Sequence, residues 1–383
     1  MQSAYIGFDA TAKSLHVGNL TGIMMLKWFQ ETGHKPITLM GGGTSKIGDP
    51  SFKDQSRNLM TDEMINDNLE NIRDNCFRQF LRYGEGETDA MMVNNDDWLS
   101  ELKYLDFLRD YGRYFTINRM ISFDSVKTRL ERESPLTLLE FNYMVMQGYD
   151  FVELHRRHGT ILQMGGSDQW GNIINGVELI RRILQKEAFG LTTPLITLSS
   201  GAKMGKTEKG AIWLDKKMFS PYDYWQFWRN TADEDVKKFL KYFTEIELDK
   251  LSNKIDNEKD INKLKILLAN QATSIIHGSK AAKDSEQTAK TTFVQGGIGK
   301  SIPEKKISKD SISKGINIID FVFQNDMAPS KSEVRRILKN NGIKINDKTI
   351  TDEKKIVDLK EFSEKDYIKL SLGKKTHIKV KII

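Results

Sequence analysis

The sequence of 383 residues contains a single cysteine, Cys76, which excludes an intrachain disulfide and fits a reducing compartment. No run of apolar residues approaches the length that a transmembrane helix needs, so we expect no membrane span. The first three residues lead directly into a strand-like segment, which leaves no room for a signal or transit peptide. The sequence therefore predicts a cytoplasmic protein without a membrane partner.

The sequence also lacks a phosphate-binding loop of the Walker type, since no Gly-x-x-x-x-Gly-Lys-Ser/Thr run occurs. Two other short signatures are typical of nucleotide contact. Residues 16–19 (His-Val-Gly-Asn) follow a strand-like run at 4–9, and residues 203–207 (Lys-Met-Gly-Lys-Thr) lie in a glycine-rich segment. Each is weak alone, but the pair in this order indicates a site for a nucleoside triphosphate.

The first signature lies where a polar turn is followed by a helical pattern, and we expect the helix to begin near Leu15. A helix start presents unpaired N–H groups and the positive end of a dipole, both of which suit phosphate. Gly18 lets a nucleoside lie against the backbone, and His16 and Asn19 can donate hydrogen bonds to phosphate oxygens. An ordinary helix start with a packed histidine fits the same residues.

The second signature places Lys203 and Lys206 among Gly201, Gly205 and Gly210. Two ammonium groups over a triphosphate would offset the charge that builds as pyrophosphate leaves. The alternative interpretation is a solvated lysine turn, which is common on protein surfaces.

Strand-like apolar runs alternate with helical patterns along the first half of the chain; they lie at residues 4–8, 36–40, 90–93 and 160–164. This alternation predicts a parallel α/β sheet, whose ligands bind at the carboxyl ends of the strands. Helical patterns interrupt the alternation at about 100–158 and resume at 220–293.

The carboxyl-terminal part of the chain is basic, since residues 296–383 contain 20 Lys and Arg against 12 Asp and Glu. Such a module suggests a polyanion partner such as RNA, although lysine is abundant throughout the chain. We predict a helix at 331–339 followed by a strand at 343–346. The cations of this helix that we expect to contact RNA are Lys331, Arg335, Arg336 and Lys339.

The two signatures resemble the HIGH and KMSKS motifs of class I aminoacyl-tRNA synthetases. Further runs narrow the resemblance to bacterial-type tyrosyl-tRNA synthetases; they lie at residues 5–16, 48–51, 143–150 and 163–172. Residues 165–172 (Gly-Gly-Ser-Asp-Gln-Trp-Gly-Asn) are highly specific to this family. The chain departs from the family at Asn19, where histidine is frequent, and at Ile6, where cysteine is common.

The resemblance implies an α/β fold in three parts. These are a Rossmann-like catalytic domain with a helical insertion that forms a dimer interface, a helical anticodon-recognition domain, and an α+β S4-like RNA-binding domain. The parts, with the linker before the last, are expected at residues 1–219 (insertion about 100–158), 220–295, 296–315 (linker) and 316–383. Relatives usually carry a helical segment before the first strand, so we expect a shortened amino terminus.

The resemblance also implies the activity. A homodimer would activate L-tyrosine with ATP, bound as its Mg²⁺ complex, to tyrosyl-adenylate and transfer the tyrosine to tRNA(Tyr). No tightly bound cofactor and no metal site of the chain's own are implied. This chemistry depends on positioning and charge stabilisation, and the sequence shows no general-base dyad.

Individual residues are assigned by the same resemblance. The catalytic residues are Thr11, His16, Asn19, Lys203, Lys206 and Thr207. The ATP-binding residues, among which Asp168 would accept from a ribose hydroxyl, are Gly7, Asp9, Gly18, Lys53, Arg57, Gly166, Asp168 and Lys206. The tyrosine-binding residues are Tyr5, Asp49, Tyr143, Gln147, Asp150, Gln163 and Gln169.

The pair Tyr5 and Asp150 is implied to meet the phenolic hydroxyl of the substrate, since Asp150 can accept from it and Tyr5 can donate to it. A substrate without the hydroxyl would leave these groups unpaired, which predicts discrimination against phenylalanine. Tyr143, Gln147 and Asp150 recur at i, i+4 and i+7 on one helix face, and polar residues so placed more often face solvent.

Other functions fit parts of the pattern. Tryptophanyl-tRNA synthetases share the fold but usually lack both the S4-like tail and the Tyr5/Asp150 pair. A synthetase-derived RNA-binding or splicing cofactor would not need the triphosphate signatures and the amino-acid pocket. The lysine signature and the basic tail weigh against a small-molecule nucleotidyltransferase.

Overall fold

A computed structural model describes residues 1–47, 60–201, 204–207, 210–293, 302–362, 366–373 and 376–383. Contacts divide the chain into two units. The first comprises Met1–Phe219 and Ala232–Lys259, and the second comprises Ser220–Thr231 and Asp260–Ile383. No helix within the described ranges combines the length and apolar character needed to cross a membrane.

The first unit is built on a five-stranded sheet in which all strand pairs are parallel. Its strands are β1 (Ser3–Asp9), β2 (Lys35–Gly41), β3 (Met91–Asn94), β4 (Leu162–Gly166) and β5 (Phe189–Thr193). The spatial order is β3-β2-β1-β4-β5. The chain winds outward from β1 in one direction and then returns to start again at β4, as in Rossmann-like folds. The predicted fold class is confirmed.

Strands β1 to β4 match the four predicted runs with bounds shifted by one or two residues, whereas β5 was not predicted. Strand β2 is buried along nearly its whole length, because helices cover both faces of a parallel sheet. The helices of this part are α1 (Leu20–Glu31), α2 (Gly42–Ser45), α3 (Asp62–Asn75), α4 (Asp96–Leu99), α5 (Tyr104–Asp110), α6 (Ile117–Met120), α7 (Asp124–Glu131), α8 (Leu138–His158) and α9 (Trp170–Leu184).

The helical insertion ends in the long helix α8, whose boundaries follow from its sequence. The Thr137 side chain accepts from the Glu140 N–H and the Glu140 side chain accepts from the Thr137 N–H, which closes a capping box. Gly159 ends the helix in the left-handed conformation with φ of 63°. The other carboxylate oxygen of Glu140, Oε1, pairs with the buried Arg129 at 3.0 Å. Helix α8 lies in the first unit and contains three of the predicted tyrosine-binding residues, namely Tyr143, Gln147 and Asp150.

Two further helices, α11 (Asp233–Tyr242) and α12 (Leu248–Asn257), also belong to the first unit, whereas α10 (Pro221–Arg229) before them belongs to the second. The predicted helical domain at 220–295 is therefore divided between the two units. A short hairpin of β6 (Lys206–Thr207) and β7 (Gly210–Ala211) completes the first unit.

The second unit contains helices α13 (Ile261–His277) and α14 (Ser279–Phe293), which pack with α10, and a mixed five-stranded sheet. The elements that follow α14 are β8 (Glu304–Ile307), α15 (Lys309–Ser313), β9 (Ile316–Asn317), α16 (Ile318–Gln324), α17 (Lys331–Lys339), β10 (Ile343–Ile345), β11 (Lys348–Ile350), β12 (Ile356–Val357), α18 (Leu359–Phe362), β13 (Tyr367–Leu372) and β14 (Thr376–Ile382). The helix predicted at 331–339 is confirmed.

The predicted linker at 296–315 is wrong for its second half. Residues of β8 pair in parallel with β14, and Ile312 of α15 is buried in the core of the same unit. Glycine, serine and lysine in this stretch suggested a linker. The alternation of exposed and half-buried residues along β8 instead fits an edge strand that pairs with the sheet.

Candidate active site

Several of the predicted site residues that the structure describes lie in or just beyond β1 and β4, where the winding of the sheet reverses. Strand β1 ends at Asp9 and its neighbour β4 ends at Gly166. Exposed Gly7 lies within β1, and exposed Thr11 lies just beyond its end. A crevice at this reversal is the usual ligand site of doubly wound sheets.

The first signature is not the start of a long helix near Leu15, because α1 begins only at Leu20. His16 has extended backbone and caps a single 3₁₀ turn, Val17–Asn19. The backbone around His16 pairs with the segment near Trp213 instead, with the Val17 N–H donating to the Ile212 carbonyl at 2.9 Å. His16 and Val17 therefore form a short strand-like pairing instead of the first turn of a helix.

The side chains of the first signature are held in place by hydrogen bonds within the turn. Nδ1 of His16 accepts from the Gly18 N–H at 3.0 Å, and Oδ1 of Asn19 accepts from the His16 N–H at 3.1 Å. Asn19 thus forms part of the capping arrangement, a role that its amide oxygen suits.

The second signature lies directly against the first. A Cβ on Gly205 would lie 2.9 Å from the Gly18 nitrogen, and a Cβ on Gly18 would lie 3.0 Å from the Met204 carbonyl oxygen. Gly205 also has φ of 108°, which side chains rarely adopt. Both glycines are therefore required by the close approach of two backbones. Lys206 and Thr207 form β6, but their side chains lie outside the described part of the structure, as does Lys203.

Tyr5 and Gln163, both predicted to bind tyrosine, lie side by side on β1 and β4, in register. Tyr5 is fully buried, and its ring packs edge-on against Phe151 at 5.2 Å between centroids. Oη of Tyr5 and Oε1 of Gln163 are buried without a hydrogen-bond partner among the described residues. A buried polar atom left unpaired costs about 1–3 kcal/mol, so this pair points to a polar ligand.

Asp150 of α8 is buried near this pair, and its carboxylate is oriented by two donors. Nε1 of Trp98 donates to Oδ1 at 2.8 Å, and Nδ2 of Asn95 donates to Oδ2 at 3.0 Å. Burial raises the pKa of Asp150 to about 7, although both hydrogen bonds act in the opposite direction. Burial and the nearby Asp150 charge raise the pKa of Tyr5 well above its usual value.

A chain of side chains connects Asp150 to the end of β1. Nδ2 of Asn95 also donates to Oγ1 of Thr44 at 3.1 Å, and Thr44 donates to Oδ1 of Asp9 at 2.9 Å. The hydroxyl of Tyr143 donates to the same Asp9 carboxylate at 3.2 Å. The predicted ATP-side residue Asp9 and the predicted tyrosine-side residue Asp150 are thus linked through side chains.

Sequence reasoning missed Thr44, Asn95 and Trp98 in this network. Thr44 follows β2, while Asn95 and Trp98 follow β3, and the carboxyl ends of parallel strands meet at one edge of a sheet. Polar residues directly after predicted strands are the signal that could have found them.

A second small network surrounds the predicted amino-acid and ribose contacts. Nδ2 of Asn172, to which the sequence analysis assigns no role, donates to Oε1 of Gln147 at 2.9 Å and to Oε1 of Gln169 at 3.2 Å. Gln169 in turn donates to Oδ2 of Asp168 at 3.4 Å. A side chain on Gly166 would collide with the same Asp168 carboxylate.

The polar face of α8 does not point to solvent. Tyr143 and Asp150 are buried and Gln147 is half-buried. The interpretation of this face as solvent-exposed is therefore wrong, because the face packs inside the first unit.

The structure leaves several predictions untested. Asp49, Lys53 and Arg57 lie outside the described residues. No group of three or more histidine, cysteine, aspartate or glutamate residues that could hold a metal ion occurs in the ranges that the structure describes.

The cations predicted to contact RNA lie on α17 in the second unit, and three of them face acidic partners. Lys331 pairs with Asp320 at 2.7 Å and Arg335 with Glu353 at 2.8 Å, while Arg336 pairs with Glu333 one turn away. Exposed ion pairs contribute only about 0–1 kcal/mol each, so a phosphate group can replace the carboxylate.

Comparison with known proteins defines the class. Residues 2–294 match the family of class I tRNA synthetases (W and Y), and residues 293–380 match the tyrosine–tRNA ligase SYY-like C-terminal domain. The chain therefore belongs to the class I tRNA synthetases of this family.

Within that class, the similar relatives are tyrosine–tRNA ligases. The chain is 54% identical to the one from Pelagibacter ubique, over 99% of this chain and 92% of the relative. It is 52% identical to the one from Roseobacter denitrificans, over 100% of this chain and 91% of the relative. A crystal structure of a C-terminally truncated mitochondrial tyrosyl-tRNA synthetase from Coccidioides posadasii matches with a TM-score of 0.62 and 31% identity, over 74% of this chain and 82% of that one.

These matches confirm the resemblance to tyrosyl-tRNA synthetases. The alternatives of a tryptophanyl enzyme or a synthetase-derived cofactor are not favoured.

Proposed function

We propose that this chain activates L-tyrosine with ATP and then transfers the tyrosine to tRNA(Tyr). The observation that carries the choice of tyrosine is the buried group of Tyr5, Gln163 and Asp150, which offers one donor and two acceptors in an apolar setting. A phenolic hydroxyl supplies the matching partners, whereas an aliphatic or phenyl side chain supplies none.

In the first step a carboxylate oxygen of tyrosine attacks the α-phosphorus of ATP. The bond between that phosphorus and the oxygen bridging to the β-phosphate breaks, and pyrophosphate leaves with the electron pair. No covalent bond to the chain is needed, so the residues act by position and charge. The contact between the two signatures at Gly18 and Gly205 supports a shared role on the phosphates.

The substrate is ATP in its Mg²⁺ complex, as we infer from the family. The resemblance to tyrosyl-tRNA synthetases assigns contacts with the phosphates to the lysine signature, Thr11, His16 and Asn19. Asp168, beside Gly166 at the end of β4, lies where it can accept from the ribose.

The phenol-recognition role of Asp150 follows from its surroundings. Asn95 and Trp98 each occupy one oxygen of the carboxylate, and each oxygen retains acceptor capacity for the phenolic O–H. Tyr5 lies on β1, and the charge of Asp150 contributes to the raised pKa of Tyr5. This proximity supports a ligand that both side chains contact. Phenylalanine would leave both groups unpaired.

ATP–pyrophosphate exchange with each of the twenty amino acids tests this function. We expect exchange with tyrosine and none above background with phenylalanine or tryptophan. Charging of purified tRNA(Tyr) then tests the transfer step. Exchange driven by tryptophan but not by tyrosine would overturn the assignment.

We also propose that the chain acts as a homodimer in the cytoplasm. The helical insertion exposes large apolar side chains that a second copy would cover; they are Tyr104, Leu105, Ile117, Leu130, Leu138 and Leu139. Sedimentation should give a dimer mass for the unaltered chain. Leu138→Asp should shift it toward the monomer, while Leu248→Asp, at an equally exposed leucine outside the insertion, should not.

The carboxyl-terminal module is proposed to bind tRNA through phosphate contacts. A chain that ends at Phe293 removes the whole module, including β8. We expect it to retain pyrophosphate exchange and to lose most tRNA charging. The lost binding should weaken steeply with salt, because phosphate contacts release counterions. Normal charging by this folded shorter chain would show that the module has another role.

A further inference from the structure

A contact far from the substrates joins α11 to the segment that precedes the second signature. Oδ2 of Asp235 accepts from the Ser199 N–H at 2.8 Å. One turn along the same helix, Nζ of Lys238 donates to the Thr197 carbonyl at 2.9 Å. The two side chains also pair with each other, since Nζ of Lys238 lies 2.9 Å from Oδ1 of Asp235.

The environment of Asp235 makes this contact unlike an ordinary surface ion pair. The side chain of Asp235 is only 5% exposed, and it lies 36 residues from Ser199 along the chain. Burial disfavours ionisation, but the Ser199 N–H and the Lys238 ammonium together hold the pKa of Asp235 below its usual range. The carboxylate is therefore charged at neutral pH and fixed by hydrogen bonds to both of its oxygens.

The segment held by α11 continues directly into the second signature. The Gly201 N–H donates to the Leu198 carbonyl at 2.8 Å, which closes a tight turn around Ser199. The Met204 N–H then donates to the Ile196 carbonyl at 3.2 Å, so the chain that leaves this turn returns beside it. Met204 and Gly205 in turn lie against Gly18 of the first signature.

We propose that Asp235 and Lys238 are positioning residues for the ATP side of the reaction. They hold the backbone at Thr197 and Ser199, and through it they set the approach of Met204 and Gly205 to the first signature. Among the described residues, neither side chain hydrogen-bonds or pairs with a residue assigned to tyrosine, so we expect their effect to be confined to ATP use. This inference rests on the proposed function for the reaction that it serves.

Kinetic analysis of Asp235→Ala and Lys238→Met in tyrosine-dependent pyrophosphate exchange tests the proposal. Because displacement of reacting groups by about 1 Å can lower a rate by up to about 100-fold, we expect kcat/KM for ATP to fall by about tenfold or more. The dissociation constant for tyrosine, measured by fluorescence without ATP, should stay within about twofold of the unaltered value. Asp235→Asn keeps an oxygen acceptor for the Ser199 N–H and should recover part of the loss.

Lys237→Met is the matched control, because Lys237 is exposed on the same helix beside Lys238. It should leave all constants unchanged. Equal losses in tyrosine affinity and ATP use, or unchanged ATP kinetics in a folded Asp235→Ala protein, would overturn the positioning role.

Hydrogen exchange separates failure of this inference from failure of the proposed function. Amides at 197–201 should exchange faster in Asp235→Ala than in the unaltered chain, whatever amino acid is activated. Unchanged exchange at these amides would refute the contact itself. An unaltered chain that shows no tyrosine-dependent activity would refute the proposed function instead.

Discussion

The ATP side and the tyrosine side of the candidate active site differ in the groups that form them: main-chain groups on the first and side chains on the second. On the ATP side, the backbones of the two signatures approach each other at glycines, and both signatures form main-chain hydrogen bonds with Ile212. On the tyrosine side, buried side chains form a hydrogen-bond network from Trp98 through Asp150 and Asn95 to Thr44, and Thr44 connects it to the predicted ATP-side residue Asp9. In the proposed function, the first arrangement binds the phosphates of ATP and the second selects one amino acid.

This difference predicts which substitutions matter on each side. A changed side chain in the tyrosine pocket should alter selectivity, because it leaves buried polar groups unpaired. On the ATP side, a side chain added to a glycine should alter the rate without altering the choice of amino acid.

The largest effect is expected from Asp150→Ala. The substitution removes the acceptor for the phenol and leaves the buried donors of Asn95 and Trp98 unpaired. A loss of about 1–3 kcal/mol corresponds to about 5- to 150-fold in kcat/KM for tyrosine. Exchange kinetics with tyrosine and phenylalanine measure it, and the preference for tyrosine should shrink together with the rate. Retained preference would contradict the role of Asp150.

Gly205→Ala should reduce ATP use on the other side of the site. An alanine at this position must adopt φ of 108°, and its Cβ would lie 2.9 Å from the Gly18 nitrogen. We expect kcat/KM for ATP to fall by about tenfold, because the collision would displace the two signatures and a misplacement of about 1 Å can cost up to about 100-fold in rate, while tyrosine binding is unchanged.

Gly210→Ala is the control for Gly205→Ala. Gly210 has a similar φ of 111°, but an added Cβ there meets no atom within 4 Å. The control therefore carries backbone strain without the collision. Equal effects of the two substitutions would contradict the claim that contact between the signatures matters.

Tyrosine affinity should depend on pH through Asp150. Burial raises its pKa to about 7, so the carboxylate form that accepts from the phenol is a minority at pH 6 and dominates at pH 8. We expect the dissociation constant for tyrosine to fall by up to about tenfold as pH rises across this range. Titrations followed by fluorescence measure it. Asp150→Asn should bind more weakly and lose the dependence, and an unchanged pH profile in that variant would assign the titration to another group.

The smallest effect is expected from Thr44→Val, which keeps the shape of the side chain and removes its hydroxyl. Asp9 loses one donor and Asn95 loses one acceptor, at a cost of about 1 kcal/mol. Tyrosine affinity should fall about fivefold.

Thr38→Val provides the comparison for Thr44→Val. Thr38 is also buried, and its hydroxyl bonds to that of Tyr83 rather than to the network at Asp150. The comparison variant should lose stability in thermal unfolding but keep its tyrosine affinity. Loss of affinity in both variants would mean that the network does not act locally.

Sequence patterns predicted the parallel sheet and most of its strands because apolar runs that alternate with helices leave a local signal. They also predicted that the two signatures lie at one site. They failed at His16, where strand-like pairing with Trp213 replaces the expected helix, and at β8, which pairs with a strand more than 70 residues away. Both depend on contacts distant in sequence, which periodicity does not report. The same reason explains three missed residues, namely Asn95, Trp98 and Asn172. Their side chains orient other site residues through contacts that are distant in sequence.

The connectivity of the two units has a consequence for how this enzyme can be divided or recombined. The chain passes between the units at residues 219–220, 231–232 and 259–260. A gene fragment that stops after residue 219 would therefore discard α11 and α12, and with them Asp235 and Lys238. A viable minimal catalytic fragment must extend to residue 259 and carry α10 along, or replace it by a short connector. Exchange of residues 260–383 between relatives at the last joint would separate α10 from α13 and α14, the helices of its own unit with which it packs.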